Sequence, residues 1–408
     1  MNCRHCGLLL DHVFLDLGVA PPSNAYLKEA DLQKPETRLP LKLFVCDNCW
    51  LVQTEDFARP TDLFDSDYAY FSSTSQTWLE HASRYSEMMC DRFELGSSSH
   101  VIEVASNDGY LLKNFLAKGI PCLGIEPTAS TAAAAEALGI PVVKNFFGQE
   151  LAVQLADENK KADLIAGNNV YAHVPDINDF TKGLKVLLKP DGVITLEFPH
   201  LLKLIGGNQF DTVYHEHFSY LSLHTVCKIF EQAGLKVWDV EHLPTHGGSL
   251  RIFGCHAENS KAIAEEVGKS LLEEKNCGLQ QISTYQMFQG RVEKVKADLL
   301  IYLAEQKNAG KVVAAYGAAA KGNTLLNFSG IKDDLIAFVC DAAPSKQGKY
   351  LPGSHIPIFP PNKLREQKPD IVLILPWNIA EEVISQNEYV YDWGGKFITA
   401  VPEIRLVR

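Results

Sequence analysis

The sequence predicts an α/β protein built from a small zinc-binding module, a central doubly wound Rossmann-like domain and a C-terminal Rossmann-like α/β domain. Three observations carry this. Short apolar strands alternate with helices from Val101 to Phe253, the pattern of a doubly wound sheet. The same strand–turn–helix pattern restarts at Lys311. Two Cys-x-x-Cys hooks, Cys3/Cys6 and Cys46/Cys49, precede both. A chain of 408 residues is too long for one ordinary domain. The expected division is 1–60, 61–258, a helical connector over 259–305, and 306–408.

Each hook supplies two sulfurs, so Cys3, Cys6, Cys46 and Cys49 together complete a tetrahedral shell. A structural zinc ion follows, with no position left for water. His5, between the first two cysteines, is expected to be an exposed knuckle residue. No signal core or bilayer-length apolar run stands in the sequence, so a cytoplasmic location is expected. Ten cysteines would then stay reduced, and clustered thiols point to metal before disulfide. The net charge of -12, with no polybasic run, argues against nucleic acid or an anionic membrane as partner.

A polar, aromatic connector follows, with Tyr68 and Tyr70, and then a helix from Gln76 to Phe93. Tyrosines there either pack at a domain seam or close over a pocket as hydroxyl donors. The first strand, Val101–Val104, runs into a small polar turn and a helix from Leu111 to Lys118. Glu103, Ser106, Asn107, Asp108 and Gly109 form the candidate ligand turn. Small residues at a strand's carboxyl end let a ligand approach the backbone, and the helix aims free N–H groups at it. The next strand ends at Glu126, whose carboxylate suits a ribose diol. Only one glycine follows the first strand, so the dinucleotide fingerprint is missing. An adenosyl ligand with an amino-acid tail, such as S-adenosylmethionine, needs less room than a pyrophosphate. Asn168 and Asn169, ending the fourth strand, are placed to read the adenine edge or that tail.

The fifth strand reaches Glu197. Tyr214-His215-Glu216-His217-Phe218-Ser219-Tyr220 then packs two histidines, an acid and two tyrosines into one short run. A general base, an orienting carboxylate and a carbonyl-polarising tyrosine fit that density. His-x-His as a metal site lacks its third ligand. Arg251, on a later strand, pairs with a core acid or meets phosphate; the residues leave both open. Residues 257–307 read as charged helices bridging two units. The second unit carries Tyr316-Gly317-Ala318-Ala319-Ala320-Lys321-Gly322-Asn323, which is not a Walker loop because no Gly-Lys-Ser/Thr follows. A second nucleotide-sized crevice is expected, basic at Lys321 and Lys346.

The paired hooks, Glu103-Val-Ala-Ser-Asn-Asp-Gly-Tyr-Leu-Leu112, Tyr214 to Tyr220 and Tyr316 to Asn323 occur in that order. Together they resemble the S-adenosylmethionine-dependent sugar C-methyltransferases that act on nucleotide-linked keto-deoxysugars, such as the dTDP-sugar C-3'-methyltransferases. The resemblance spans nearly the whole chain. It implies a zinc module, an S-adenosylmethionine domain, and a C-terminal domain that helps clamp the nucleotide-sugar. It implies methylation of an enolate beside a ketone, with His217 as base, Tyr214 and Glu216 beside it, and His173 and Tyr68 or Tyr70 in the pocket. Tyr220, Lys321, Asn323 and Lys346 are the candidate substrate contacts. The expected acceptor is a dTDP- or GDP-linked 4-keto-6-deoxyhexose methylated at C-3, and a monomer or homodimer fits equally. The competing reading, an NAD-dependent nucleotide-sugar dehydrogenase or epimerase, lacks its glycine pattern and a Tyr-x-x-x-Lys pair. A purely structural zinc scaffold would have no need of the proton-transfer run.

Overall fold

The computed structural model describes residues 1–55 and 71–407; Tyr68 and Tyr70 lie outside the described residues. Three sheets organise the chain. In the first, β1 (His12–Ala20), β2 (Leu39–Val45) and β3 (Val52–Thr54) pair antiparallel. Leu41, Leu43 and Val45 of β2 alternate inward, as period-two pleating requires. The hooks alone did not announce this sheet, because its strands are interrupted by bulges in β1.

The central sheet is built from β4 (Val101–Val104), β5 (Cys122–Ile125), β6 (Val142–Val143), β7 (Ala162–Asn168), β8 (Leu188–Pro199), β10 (Leu235–Leu243) and β11 (Ser249–His256). Their order across the sheet is β10-β11-β8-β7-β4-β5-β6. Strands β4 to β8 run parallel, and β11 sits antiparallel between β8 and β10. Both faces of β4 are covered, which explains its unbroken burial. Strand β10 escapes a sequence reading because it is a charged edge strand with a register shift between Val237 and Asp239. Arg251, on β11, meets a core acid and a half-buried one: its guanidinium lies 2.8 Å from Glu197 and 2.8 Å from Glu241.

Strand β9 (Ser219–Tyr220) leaves this domain and pairs antiparallel with β3, Val52 opposite Tyr220 and Gln53 opposite Ser219. The proton-transfer run is thereby stitched into the first module's sheet. Helices over Glu265–Asn276, Ile282–Gln286 and Phe288–Asn308 lead to the third sheet. It contains β12 (Val313–Tyr316), β13 (Val339–Cys340), β14 (Ile358–Phe359), β15 (Ile371–Ile374), β16 (Lys396–Thr399) and β17 (Arg405–Val407). The order is β14-β13-β12-β15-β16-β17, and only the β16–β17 pair is antiparallel.

The modules share their cores. Phe14 and Leu43 of the first sheet pack in one cluster with Phe288, Leu326 and Leu351, and Phe14 stacks on Phe288 at 5.0 Å. Cys3, Cys46 and Cys49 belong to the cluster under the central sheet. Among the described residues no helix is long and apolar enough to cross a membrane.

Candidate active site

The turn after β4 is the first wall. Ala105 and Asn107 have φ values of 58° and 50°, the left-handed region that a side-chain-bearing residue adopts rarely and where its surroundings hold it; Gly109, at 79°, takes it freely. A Cβ on Gly109 would come within 2.6 Å of Ile140 Cδ1, so glycine lets the turn close onto the layer behind it. Glu126 accepts from the Asn107 and Thr128 backbone N–H groups, both at 2.9 Å. Asn107 Oδ1 and Asp108 Oδ2 accept from the backbone N–H groups of Ser72 and Ser73 at 2.9 and 3.0 Å, latching the connector's end to the turn. Asn107 and Glu126 line the cavity. The structure places Glu103, Ser106, Asp108 and Gly109 beneath that wall, where they frame the turn and do not line the cavity. Glu103 is fully buried, and desolvation holds its carboxyl well above the usual range.

Asn168 and Asn169 line the same cavity, where the strand order reverses. Asn168 Nδ2 lies 3.4 Å from the Tyr110 hydroxyl, and Asn169 Nδ2 donates to His246 Nε2 at 3.0 Å. Their Oδ1 atoms are buried without a hydrogen-bond partner among the described residues. Buried orphan acceptors are costly unless a ligand donates to them. Trp78 packs between His81, His246 and Tyr110, with centroids at 4.8, 5.4 and 6.0 Å. His81 is fixed in turn by Glu197, 2.8 Å away.

The second wall is the run Tyr214 to His217. Thr54 N–H donates to the Phe218 carbonyl at 3.1 Å, extending the β3–β9 pairing. His217 Nδ1 lies 3.0 Å from the Thr212 carbonyl and His173 Nδ1 lies 2.8 Å from the Glu216 carbonyl. A carbonyl can only accept, so each ring carries its hydrogen on Nδ1 and presents a lone pair at Nε2. The tautomer is therefore set by peptide carbonyls and not by the Glu216 carboxylate, which accepts from Asn24 Nδ2 at 2.7 Å. Burial lowers His173 from 6.5 to about 4 and His217 well below 6.5, so both are neutral at pH 7. The two rings meet edge to face at 4.6 Å, and Tyr214 packs on His217 at 4.0 Å. Tyr220, expected at the substrate, sits behind His217 at 5.9 Å, because pairing with Val52 turns it away from the main cavity. His215 faces the carbonyls of Leu39 and Pro40 at 3.3 and 3.2 Å.

The third wall comes from the C-terminal domain. Lys321, in the first turn of the helix Ala320–Ser329, donates to Asn378 Oδ1 at 2.6 Å and lies 4.8 Å over the Trp377 ring. Lys346 donates to the Ala318 carbonyl at 2.8 Å and lies 5.6 Å from the Tyr26 ring. Trp377 Nε1 donates to Asp211 at 2.7 Å. The ring lies so close to Gly247, at φ +89°, that a Cβ there would sit 2.3 Å from it. Asn323, expected to touch substrate, instead donates to the Ser23 carbonyl at 2.6 Å and does not line the cavity. The cavity measures about 630 Å³. Asn24, Tyr26, Trp78 and His246 also line it. His246 stands in a Thr-His-Gly-Gly run and Asn24 and Tyr26 follow a Pro-Pro pair, and nothing local in the sequence assigns such residues to a pocket.

In the first module the sulfurs of Cys3, Cys6, Cys46 and Cys49 lie within 4.8 Å of one another, with pairs at 3.4 and 3.5 Å. Zinc–sulfur bonds of about 2.3 Å give a tetrahedral edge of about 3.8 Å, so the cluster fits one ion. His5 is not the exposed knuckle residue expected: it is 7 % exposed, with Nδ1 2.8 Å from Asn178 Oδ1. The cysteine turn packs on the central domain, which covers it.

Three family models match in succession: "Putative zinc binding domain" over 3–64, "Methyltransferase domain" over 78–240, and "C-methyltransferase C-terminal domain" over 244–402. The chain is 36 % identical over 408 residues to the C-methyltransferase NovU of Streptomyces niveus, covering 100 % of this chain and 96 % of that one. It is 22 % identical over 167 residues to a ubiquinone biosynthesis O-methyltransferase of Rhodopseudomonas palustris (strain TIE-1), covering 36 % of this chain and 66 % of that one. An S-adenosylmethionine-dependent methyltransferase structure from Clostridium acetobutylicum aligns over 44 % of this chain and 92 % of that one, at 12 % identity and a TM-score of 0.35. The full-length similarity and the ordered succession of domains show that the chain belongs to the S-adenosylmethionine-dependent C-methyltransferases.

Proposed function

We propose that this enzyme methylates C-3 of a dTDP- or GDP-linked 4-keto-6-deoxyhexose. In this reading residues 1–60 bind zinc and brace the site, 61–258 bind the methyl donor, and 306–408, joined through 259–305, receive the nucleotide-sugar. The observation that carries it is a pair of imidazoles facing one cavity, between an orphan-acceptor turn and two lysines. Asn168 and Asn169 suit the donor's amino groups, Glu126 its ribose, and Lys321 and Lys346 the acceptor's diphosphate.

S-adenosylmethionine, when bound, supplies an electrophilic methyl group on a sulfonium that departs as a neutral thioether. His217 Nε2 takes the proton from the carbon beside the ketone; the C–H pair becomes the enolate C=C bond and the carbonyl π pair moves onto the oxygen. The Tyr214 hydroxyl stabilises that oxygen, whereas His173, with its Nδ1 hydrogen given to the Glu216 carbonyl and a lone pair at Nε2, has no donor to offer it. The enolate C=C pair is what would bond the methyl group the donor supplies, the carbonyl re-forming from the oxygen's pair. A base is most effective near the working pH. Burial above all, and then the neighbouring His173, hold His217 low, with Lys321 a lesser contribution. The test offers methyl-labelled donor with dTDP- and GDP-linked 4-keto-6-deoxyhexoses and follows label by mass spectrometry. Label on one of them is the expected result; donor binding with no label on any would remove this acceptor class.

A further inference from the structure

We propose that Asn24, contributed by the cysteine module, is a positioning residue for methyl transfer that acts through the Glu216 carboxylate. Between β1 and β2 the chain leaves its sheet and is pinned against the C-terminal domain. The Ser23 carbonyl accepts from the buried Asn323 amide at 2.6 Å, the Tyr26 hydroxyl donates to the Ala318 carbonyl at 2.6 Å, and Leu27 and Tyr350 exchange backbone hydrogen bonds at 3.0 and 2.8 Å. These anchors carry Asn24 and Tyr26 onto the cavity wall.

Asn24 Nδ2 lies 2.7 Å from Glu216 Oε1. A carboxylate can only accept, so the amide nitrogen must face it. Glu216 is 3 % exposed, and a carboxylate that buried depends on donated hydrogen bonds to stay at a wall. Its own carbonyl holds the His173 tautomer, and the next residue is His217. A turn of the Glu216 side chain is therefore felt by both imidazoles. The first module thus reaches the reacting centre with one amide, and the fold commits four anchoring bonds to holding it there.

This inference rests on the reading of His217 and Glu216 as the proton-transfer wall. The test measures kcat, KM and donor Kd for the parent, Asn24→Ala and Asn24→Asp between pH 6 and 9. Asn24→Ala is expected to lower kcat about tenfold or more at every pH, the value of a charge-assisted hydrogen bond, with donor Kd unchanged. Asn24→Asp sets a second carboxylate against Glu216. It is expected to be poor at pH 9 and to recover relative to the parent as the pH falls, because the pair then shares a proton and an O–H replaces the amide donor. Among the described residues, the charged or titratable groups that share the cavity with this wall include Tyr26, His173, Tyr214, His217, Lys321 and Lys346. They are common to all three proteins, so the ratio to the parent isolates the new pair. A merely structural asparagine would give the same flat ratio for both variants, which overturns the proposal; so does a parent-like kcat in Asn24→Ala. Should Asn24→Ala not fold, the near-isosteric Asn24→Asp decides alone. A parent inactive on every keto-sugar overturns the acceptor reading and this inference with it, an outcome distinct from an active parent with a flat Asn24→Asp ratio.

Discussion

Replacing Asp211 with asparagine should make the protein more stable at neutral pH and worse at binding its acceptor. Asp211 is fully buried and accepts from Trp377 Nε1, and one of its carboxylate oxygens has no partner among the described residues. Burial raises it from 3.8 to about 6, with Lys321 and the Trp377 hydrogen bond pulling the other way. A folded-state value above the unfolded one means that the folded protein binds the extra proton. The stability is present below about pH 4 and is lost as the pH rises through 6. At pH 7.5 the ionised carboxyl costs up to about 3 kcal/mol. An amide in its place carries no charge, so Asp211→Asn removes that cost while the amide oxygen still accepts from Trp377. Urea unfolding of parent and variant, side by side at pH 4 and 7.5, reads the difference directly. The variant should gain relative to the parent only at pH 7.5. Asp211 also supports the Lys321 charge, which burial works against, so KM for an anionic acceptor should rise. A variant equally or less stable at pH 7.5 than at pH 4, relative to the parent, would refute the reasoning.

Other expectations follow from the same geometry. The parent should lose stability as the pH falls from 6.5 towards 4: His173 and His246 each drop from 6.5 to about 4 on folding, so the unfolded chain takes up more protons across that window. His217 shares the direction, and the three imidazoles work against the opposite slopes of Asp211 and Glu103; a urea midpoint that holds steady down to pH 4.5 would count against this burial. Removing the metal with a chelator should lower the thermal midpoint of the whole chain, because the cysteines share a core with the central sheet; an unchanged melt after verified stripping would end the structural-zinc account. Arg251→Met leaves Glu197, 0 % exposed, without its cation, and should cost about 3–5 kcal/mol of stability measured by denaturant titration.

Much of the fold was legible because parallel strands buried on both faces read as short apolar runs, as Val101–Val104 does. The four cysteines and the run Tyr214 to His217 were legible because their chemistry is dense in sequence. What escaped is long-range. Pairing of β9 with β3 joins residues from distant parts of the chain, as Val52 opposite Tyr220 shows, and no local pattern reports it. Asn24, Tyr26, Trp78 and His246 reach the cavity only through tertiary packing. Tyr220 and Asn323 were assigned to substrate by their motifs, yet strand pairing and an interdomain hydrogen bond claim them. Glu216 was expected to orient an imidazole with its carboxylate; its carbonyl does so for His173, a role that side-chain identity cannot reveal.

The most direct test of the central claim uses a nucleotide-linked 4-keto-6-deoxyhexose deuterated at C-3, with methyl-labelled S-adenosylmethionine. The account predicts that the product gains the label and loses the C-3 deuterium, and that His217→Ala does neither while still binding the donor, with turnover down about 10²- to 10⁴-fold. Label gained with the deuterium retained would place the methyl group elsewhere than C-3, and near-parental turnover in His217→Ala would take the base role away from His217.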